Sequence, residues 1–402
     1  MIILRLSWLS LWNRRGTVLL TALGIAVSVM LLAGVNKIRT DMRTGFANTI
    51  ADADLIVGAR SGPVNLLLYS VFRLGDATAN VSWSTYRKVA AHPQVAWTIP
   101  LALGDSHRGY RVLGTNQDYF AHYRYAGDRP LVLGQGRLFQ GLSEAVLGAE
   151  VAAALGYKPG QSITLNHGVG DGSFNEHATQ PVIVTGILKR TGTPADRTVH
   201  VSLQTLEALH DAAGADLTPE SLTAFIVGLS DRTATFQIQR DINEYRGEAL
   251  LAILPGVALQ QLWEVAGVAE SALLVVAAFV VFAGLLGLLT ALLTSLNERR
   301  REMAILRSVG ARPQQVFALL MSEAAFIGLI GAVLGLAALH GGLAVAAGWL
   351  EARFGVYLLG NGLTAFELIT GCAVVLAAVC VGAIPGWRAY RHTLADGLTL
   401  RV

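Results

Sequence analysis

The chain has 402 residues, of which 53% are hydrophobic and 15% charged, and it carries a net charge of +3. A soluble globular protein runs at about 45–50% and about 25%, so an ordinary water-soluble enzyme is excluded once the apolar residues gather into runs of about 20, enough to span a bilayer. They do so at both ends of the chain.

Residues 1–15 place Leu4, Trp8, Leu11 and Trp12 at i, i+4, i+7 and i+8, one helical face, with arginines elsewhere. This leader is expected to lie as an amphipathic helix on the cytoplasmic leaflet. Residues 16–36 form the first of four spans. A basic leader before an apolar run also describes a signal peptide. The length of the run, and the lack of a lipoprotein-type cysteine or a clean Ala-x-Ala site before Lys37, favour a retained helix.

Residues 37–270 read as a folded mixed α/β extracytoplasmic domain of two subdomains, one inserted into the other. Strands are predicted at 55–57, 95–99, 112–114, 162–165, 181–188 and 225–229, and helices at 84–91, 150–155, 203–210 and 233–245. Gly156 is expected to end a helix, and Lys158-Pro159-Gly160-Gln161 to turn the chain. The apolar stretch 62–75 is read as a short helix packed on the domain or dipping toward lipid, or else as a contact surface. Residues 166–180 form a polar glycine-rich loop. Its His167 and His177, beside Asp171 and Glu176, are weak metal candidates, solvent-facing polar side chains being the default. No triad or paired-carboxylate spacing marks a catalytic site.

The remaining spans are 271–297, 315–342 and 367–387, separated by a cytoplasmic segment at 298–314 and an outer connection at 343–366 and followed by a tail at 388–402. A helical pattern around 259–268 leads into the second span. Within 298–314, Met303, Leu306, Val309 and Gly310 fall near one helical face, arginines cover the rest, and Gly310 with Pro313 gives a stop and a restart. Gly328, Gly331 and Gly335 make a small-residue face in the third span, suited to packing within the bundle or to a dimer seam. Glu323 in that span is expected to reach back toward cytoplasmic arginines, since an intramembrane carboxylate is costly. No second membrane carboxylate is expected to accompany it. Cys372 and Cys380, eight apart in one apolar run, are expected as buried small apolar residues, with no disulfide between them.

Lys and Arg fix the orientation. The leader, the segment between spans two and three and the tail hold 11 basic residues against Glu298, Glu302 and Asp396, whereas residues 36–270 hold 19 basic and 22 acidic ones. Both termini therefore face the cytoplasm and the large domain faces out. The basic balance reflects this topology and does not point to nucleic acid.

The stretch RRREMAILRSVGARPQQV, with the spans flanking it and the order of the outer domain, resembles the FtsX/MacB family of ABC-transporter permeases, relatives of LolC and LolE. SEAVLGAEVAAALGYKPGQSITL is similar to a strand-helix-turn-strand passage of the same family. The resemblance implies that 298–314 is a coupling helix seated in a groove of an ATPase subunit, through Arg301, Glu302, Ile305, Leu306, Gly310 and Ala311. No phosphate-loop motif of the G-x-x-x-x-G-K-[ST] kind occurs, so this chain is expected to be non-catalytic. ATP and Mg would sit on a separate ATPase dimer, and no cofactor on this chain. A second permease copy or a related permease, membrane lipid and a periplasmic protein or lipoprotein are the other implied partners. The implied activity is mechanotransmission from a bacterial inner membrane, acting on a lipoprotein, lipid, peptide or hydrophobic compound. Alternatively, the chain is an FtsX-like regulator that activates an outer partner without transport. A membrane-bound sensor is disfavoured, because the cytoplasmic pieces are short.

Overall fold

The computed structural model describes residues 7, 9–12, 14–47, 49, 52–167, 181–210, 217–298, 303, 305, 307–354 and 362–391. Contacts divide the chain into two compact units. One comprises Met1–Asp41, Gly267–Ala352 and Leu358–Val402, and the other Met42–Ala266 and Arg353–Tyr357.

The first unit is built from four helices long and apolar enough to cross a membrane. These are α1 (Arg15–Ala47) and three later ones at Pro255–Glu298, Pro313–Phe354 and Ala365–Arg391. In chain order the last three are α8, α9 and α10. Each exceeds its predicted span, because the apolar run marks only the part that suits lipid and helix propensity carries the backbone further. The 44 residues of α8 extend about 66 Å at 1.5 Å per residue, twice the ~30 Å hydrocarbon thickness. The helical pattern at 259–268 is thus part of one unbroken helix.

The bundle core is small and apolar: Ala22, Ile25 and Val29 of α1 meet Leu288 and Leu292 of α8, Ala324, Ile327 and Ala332 of α9, and Val374 and Ala378 of α10. Glycines let the backbones approach. A Cβ on Gly335 would lie 2.5 Å from the Ala26 carbonyl oxygen, and one on Gly331 2.7 Å from the Ile25 Cβ. A Cβ on Gly328 would meet the Ala378 Cβ at 2.8 Å. Ser28 Oγ donates across to the Val280 carbonyl at 3.0 Å, a cross-helix bond of the kind lipid-embedded helices use.

The described residues of the leader pack on the bundle. Leu11 is buried in the bundle core while Trp12 is exposed, Ser7 bonds to Ser322, and Ser10 Oγ donates to Glu323. Leu4 and Trp8 lie outside the described residues. Cys372 and Cys380 depart from expectation: both are free thiols on the exposed surface of α10. A lipid-facing position is as apolar as a buried one, so the sequence pattern does not separate them.

The second unit contains an 11-stranded sheet. Its main strands are β1 (Leu55–Ala59), β2 (Val95–His107), β3 (Tyr110–Thr115), β4 (Leu133–Gly136), β5 (Glu144–Leu147), β6 (Val182–Leu188), β7 (Thr198–Ser202), β8 (Ala224–Leu229) and β9 (Leu250–Ile253). They run in the order β9-β1-β8-β2-β3-β7-β5-β6-β4, with short strands at Ser162–Ile163 and Asn166–His167 added on β6 and β2. The pairs β3·β7 and β5·β6 are parallel and the others along this path antiparallel. The soluble unit is one compact body, and its strand β2 takes part in two ladders of the sheet. The first half of β2, to Leu101, pairs with β8, its second, from Ala102, pairs with β3, and a bulge between Leu103 and Ser106 interrupts the ladder with β3.

Alternation along the strands feeds two faces. Leu55 and Val57 join Phe225, Val227 and Ile238 on one side, and Ile56 joins Leu66, Leu67 and Ile253 on the other. Helices α2 (Pro63–Ser70), α3 (Trp83–Ala90), α4 (Asp118–His122), α5 (Ala149–Leu155), α6 (Leu203–His210) and α7 (Thr235–Asn243) cover these faces. The apolar stretch at 62–75 is resolved by α2, whose Leu66, Leu67 and Tyr69 are buried. It needs Gly58 beneath it, since a Cβ there would come within 2.6 Å of Leu66. Gly156 ends α5 at φ 72°, its N–H bonded to the Ala152 carbonyl.

Candidate functional site

The segment between α8 and α9 is the first candidate. Arg301, Glu302 and Leu306 lie outside the described residues. Met303, Ile305, Arg307 and Ser308 are helical, and a turn follows in which Gly310 takes φ 105° and donates its N–H to the Arg307 carbonyl at 3.1 Å. Pro313 then opens α9, where Gln315 Oε1 accepts from Arg312 N at 2.9 Å. Ala311 sits half-buried in the connection.

The expected single face divides. Met303 is 7% exposed and packs on Val316, Leu319 and Ala389, which anchors the helix to its own bundle. Ile305, 53% exposed, and Val309, 83% exposed, stand four residues apart and present an apolar pair outward. Such a helix can dock its outward pair into an apolar groove while its inward residue transmits displacement to α9 and α10.

Two polar groups flank the apolar middle of the helical unit. At one level, Glu323 is 3% exposed and accepts a hydrogen bond from Ser10 Oγ at 2.7 Å, on the side of the bundle where the arginines of the leader lie. It lines a cavity of about 250 Å³ together with Arg14 and Arg15. At the other level, the fully buried Glu367 takes the Thr364 N–H at 2.9 Å and meets His340 Nε2 at 3.2 Å. Lys37 pairs with Asp41 at 3.2 Å and Arg39 with Glu270 at 2.8 Å in the same unit. Glu367 is a second carboxylate within an apolar helix, contrary to the expectation that Glu323 stands alone. The signal was present: a Glu three residues after a Thr opens a capping box.

In the soluble unit, His167 lies in the short strand paired with β2, opposite Asp105, and not in an irregular loop. His177, Asp171 and Glu176 lie outside the described residues. Among the described residues no group of three or more His, Cys, Asp or Glu could hold a metal. Two histidines are structural. His200 is fully buried among the rings of Tyr119 and Phe120, and its Nδ1–H donates to the Val146 carbonyl at 3.2 Å. Desolvation, aided by the Arg73 charge, lowers its pKa to about 3. His107 donates from Nδ1 to the Thr164 carbonyl at 2.6 Å and faces Tyr157 Oη, and burial lowers its pKa as well. Both rings are held neutral, as packed core groups.

Comparison with known proteins accounts for both units. Residues 18–245 match the MacB-like periplasmic core domain, and residues 274–394 match the FtsX-like permease C-terminal domain. The chain belongs to the FtsX/MacB-like family of ABC-transporter permeases. It is 34% identical over 112 residues to an uncharacterized ABC transporter permease of Methanocaldococcus jannaschii, a match that covers 28% of this chain and only 27% of that protein. The periplasmic region of MacB from Actinobacillus actinomycetemcomitans aligns over 53% of this permease and 94% of its own chain, at 13% identity and a TM-score of 0.37. The extracellular domain of the transporter YknZ, from Gram-positive bacteria, aligns over 50% and 98%, at 13% identity and a TM-score of 0.32. A permease of this family is a membrane component that generally works with an ATPase subunit. The Ile305–Val309 pair falls inside the stretch matched as FtsX-like.

Proposed function

We propose that this permease takes its energy from a separate ATPase dimer through the helix at 298–314 and spends it on moving the soluble domain. The observation that carries this reading is the outward Ile305–Val309 pair on a helix whose other side is pinned to α9 and α10 by Met303. An exposed apolar pair flanked by arginines at a membrane's basic end suits a protein groove better than water. Arg301, Glu302 and Leu306 would complete the contact, and Gly310 and Ala311 would set the turn that aims it. Closing of the nucleotide sites would shift the helix, and α8, unbroken from Pro255 to Glu298, would carry the shift outward.

In this reading the chain is a multi-pass protein of the bacterial inner membrane. Its termini are cytoplasmic, its large domain is periplasmic, and it pairs with a second permease. ATP and Mg reside on the partner. The cargo class is a lipoprotein, lipid, peptide or hydrophobic compound met at the outer face. Copurification with the ATPase subunit tests the coupling. Leu306→Glu with Arg301→Glu is expected to abolish both association and stimulated hydrolysis, and retention of both would sink the assignment. If coupling holds but no cargo moves while an outer partner is activated, the chain is a regulator and not a transporter.

A further inference from the structure

The polar node around Glu367, at the far end of the helical unit from the coupling segment, has chemistry that the coupling role does not use. Glu367 lies in the first turn of α10. Its Oε2 accepts the Thr364 N–H at 2.9 Å and meets His340 Nε2 of α9 at 3.2 Å, while its own N–H donates to Thr364 Oγ1 at 3.3 Å. A helix N-terminus favours the ionised carboxylate there. The residue is nevertheless fully buried, and among the described residues its second oxygen, Oε1, has no hydrogen-bond partner. Such a buried carboxylate is costly unless a cation answers it.

The neighbouring helices set the charge balance. A Cβ on Gly34 would lie 3.1 Å from Leu339 Cδ1, so α1 runs beside this part of α9, and its next two turns carry Lys37 and Asp41. Asp41 is within electrostatic reach of Glu367, and Lys37 pairs with Asp41 at 3.2 Å. Arg39, also on α1, is paired with Glu270 of α8 at 2.8 Å. The node thus sets two carboxylates, Asp41 and Glu367, against one permanent cation, Lys37, and one histidine. Its sum is one negative charge when His340 is neutral and zero when His340 is protonated. Among the described residues His340 is the one cationic partner of Glu367.

Imidazole is the side chain whose charge ordinarily changes between about pH 5 and 8. The His340 side chain is 24% exposed and that of Glu367 is 1% exposed, so the ring can exchange its proton with water while the carboxylate is sealed behind it.

We propose that His340 and Glu367 form a pH-operated clamp between α9 and α10, closed when His340 is protonated and released when it is neutral. With the proton in place, Nε2–H donates a charge-assisted bond to Glu367 and the node is balanced. With the proton gone, Glu367 is left as an unbalanced buried charge, which is relieved when the first turn of α10 tips toward water. The clamp does not rest on the coupling reading. Only the compartment it senses, the outer one, rests on the orientation proposed above.

The test is hydrogen–deuterium exchange of the full-length chain in lipid nanodiscs, without any ATPase, read on residues 365–371 and corrected for the intrinsic pH dependence of exchange. Protection of this segment is expected to be about tenfold greater at about pH 5.5 than at about pH 8. His340→Gln is expected to leave it weakly protected at both, and Glu367→Gln to abolish the difference. His340→Lys, a permanent cation, is expected to keep it protected at both. Should Glu367→Gln fail to fold, the two His340 variants, at a part-exposed position, decide the matter. Equal protection of the native segment at the two pH values would overturn the proposal. So would a pH difference that survives in His340→Gln, or a His340→Lys chain no better protected at the higher pH than His340→Gln.

Discussion

The two units bury polar groups by different rules. In the soluble unit polar groups are threaded through the core: Asp196, fully buried, accepts from Thr191 N, Gly192 N and Thr191 Oγ, and His200 donates to the Val146 carbonyl among aromatic rings. In the helical unit the middle is kept free of charge, and charges collect at two levels. Glu323 and His340, which mark those levels on α9, are 17 residues apart, about 26 Å at 1.5 Å per residue and close to the ~30 Å of hydrocarbon. Exposure also changes meaning between the units. Phe279, Phe282 and Leu376 on the helices are exposed apolar side chains, which lipid accommodates and water would not. The lesson is that solvent, more than residue type, decides where a carboxylate or a phenylalanine can be placed.

Four predictions sharpen that contrast. The largest effect belongs to the helical unit. Gly335→Leu sets a side chain against the Ala26 backbone, which cannot yield as a flexible side chain would. Overpacking costs about 1–3 kcal/mol or more, so folded full-length chain is expected to fall sharply in detergent while hydrogen-exchange protection of β1, β7 and β8 stays unchanged. A chain that folded normally and lost only self-association would place Gly335 in a dimer seam.

The next effect belongs to the soluble unit. The folded-state pKa of His200 lies far below its unfolded value of about 6.5, so the unfolded chain takes up a proton that the folded one refuses. Stability is present above pH 6.5 and is lost as pH falls toward 3. By pH 5 the loss is about 2 kcal/mol from this group, and His107 acts in the same direction. Asp196, whose carboxyl desolvation raises, acts in the opposite sense. Urea unfolding followed by tryptophan fluorescence at pH 7 and pH 5 reads the slope, and His200→Phe is expected to flatten it. A smaller effect is expected from Gly156→Ala, where the left-handed backbone at φ 72° costs an L-residue about 1 kcal/mol. Urea unfolding of that variant should show a lower midpoint with an unchanged m-value.

Much of this architecture is legible in the sequence wherever local and global preferences agree. Leu203–His210 is a helix over the residues its pattern predicts, and Gly156 ends a helix because only glycine sits there without strain. Local pattern marks neither Glu144–Leu147, which only the family resemblance gives as a strand, nor Thr198–Ser202. EAVL is made mostly of helix formers and TVHVS is five residues long, and both become strands through pairing with partners far along the chain. The second half of β2 escaped for a similar reason: Gly104 and Asp105 look like a turn but sit in a bulge. In the candidate site, the stop at Gly310 and the restart at Pro313 follow from backbone chemistry. The division of Met303 from Val309 does not, since it depends on α9 and α10 folding back beneath the helix. The Ser10–Glu323 bond joins residues 313 apart in sequence, beyond the reach of any local pattern.

The central claim is that the outward Ile305–Val309 pair is where the ATPase subunit engages. Replacing both with glutamate changes only exposed positions, so stability is expected to stay within about 0.5 kcal/mol of the parent chain. The most direct measurement is copurification of Ile305→Glu/Val309→Glu with the ATPase subunit, paired with the ATP hydrolysis rate of whatever complex is recovered. The account predicts a folded permease that recovers no ATPase and supports no stimulated hydrolysis. A folded double variant that still bound the ATPase and stimulated it fully would contradict the account.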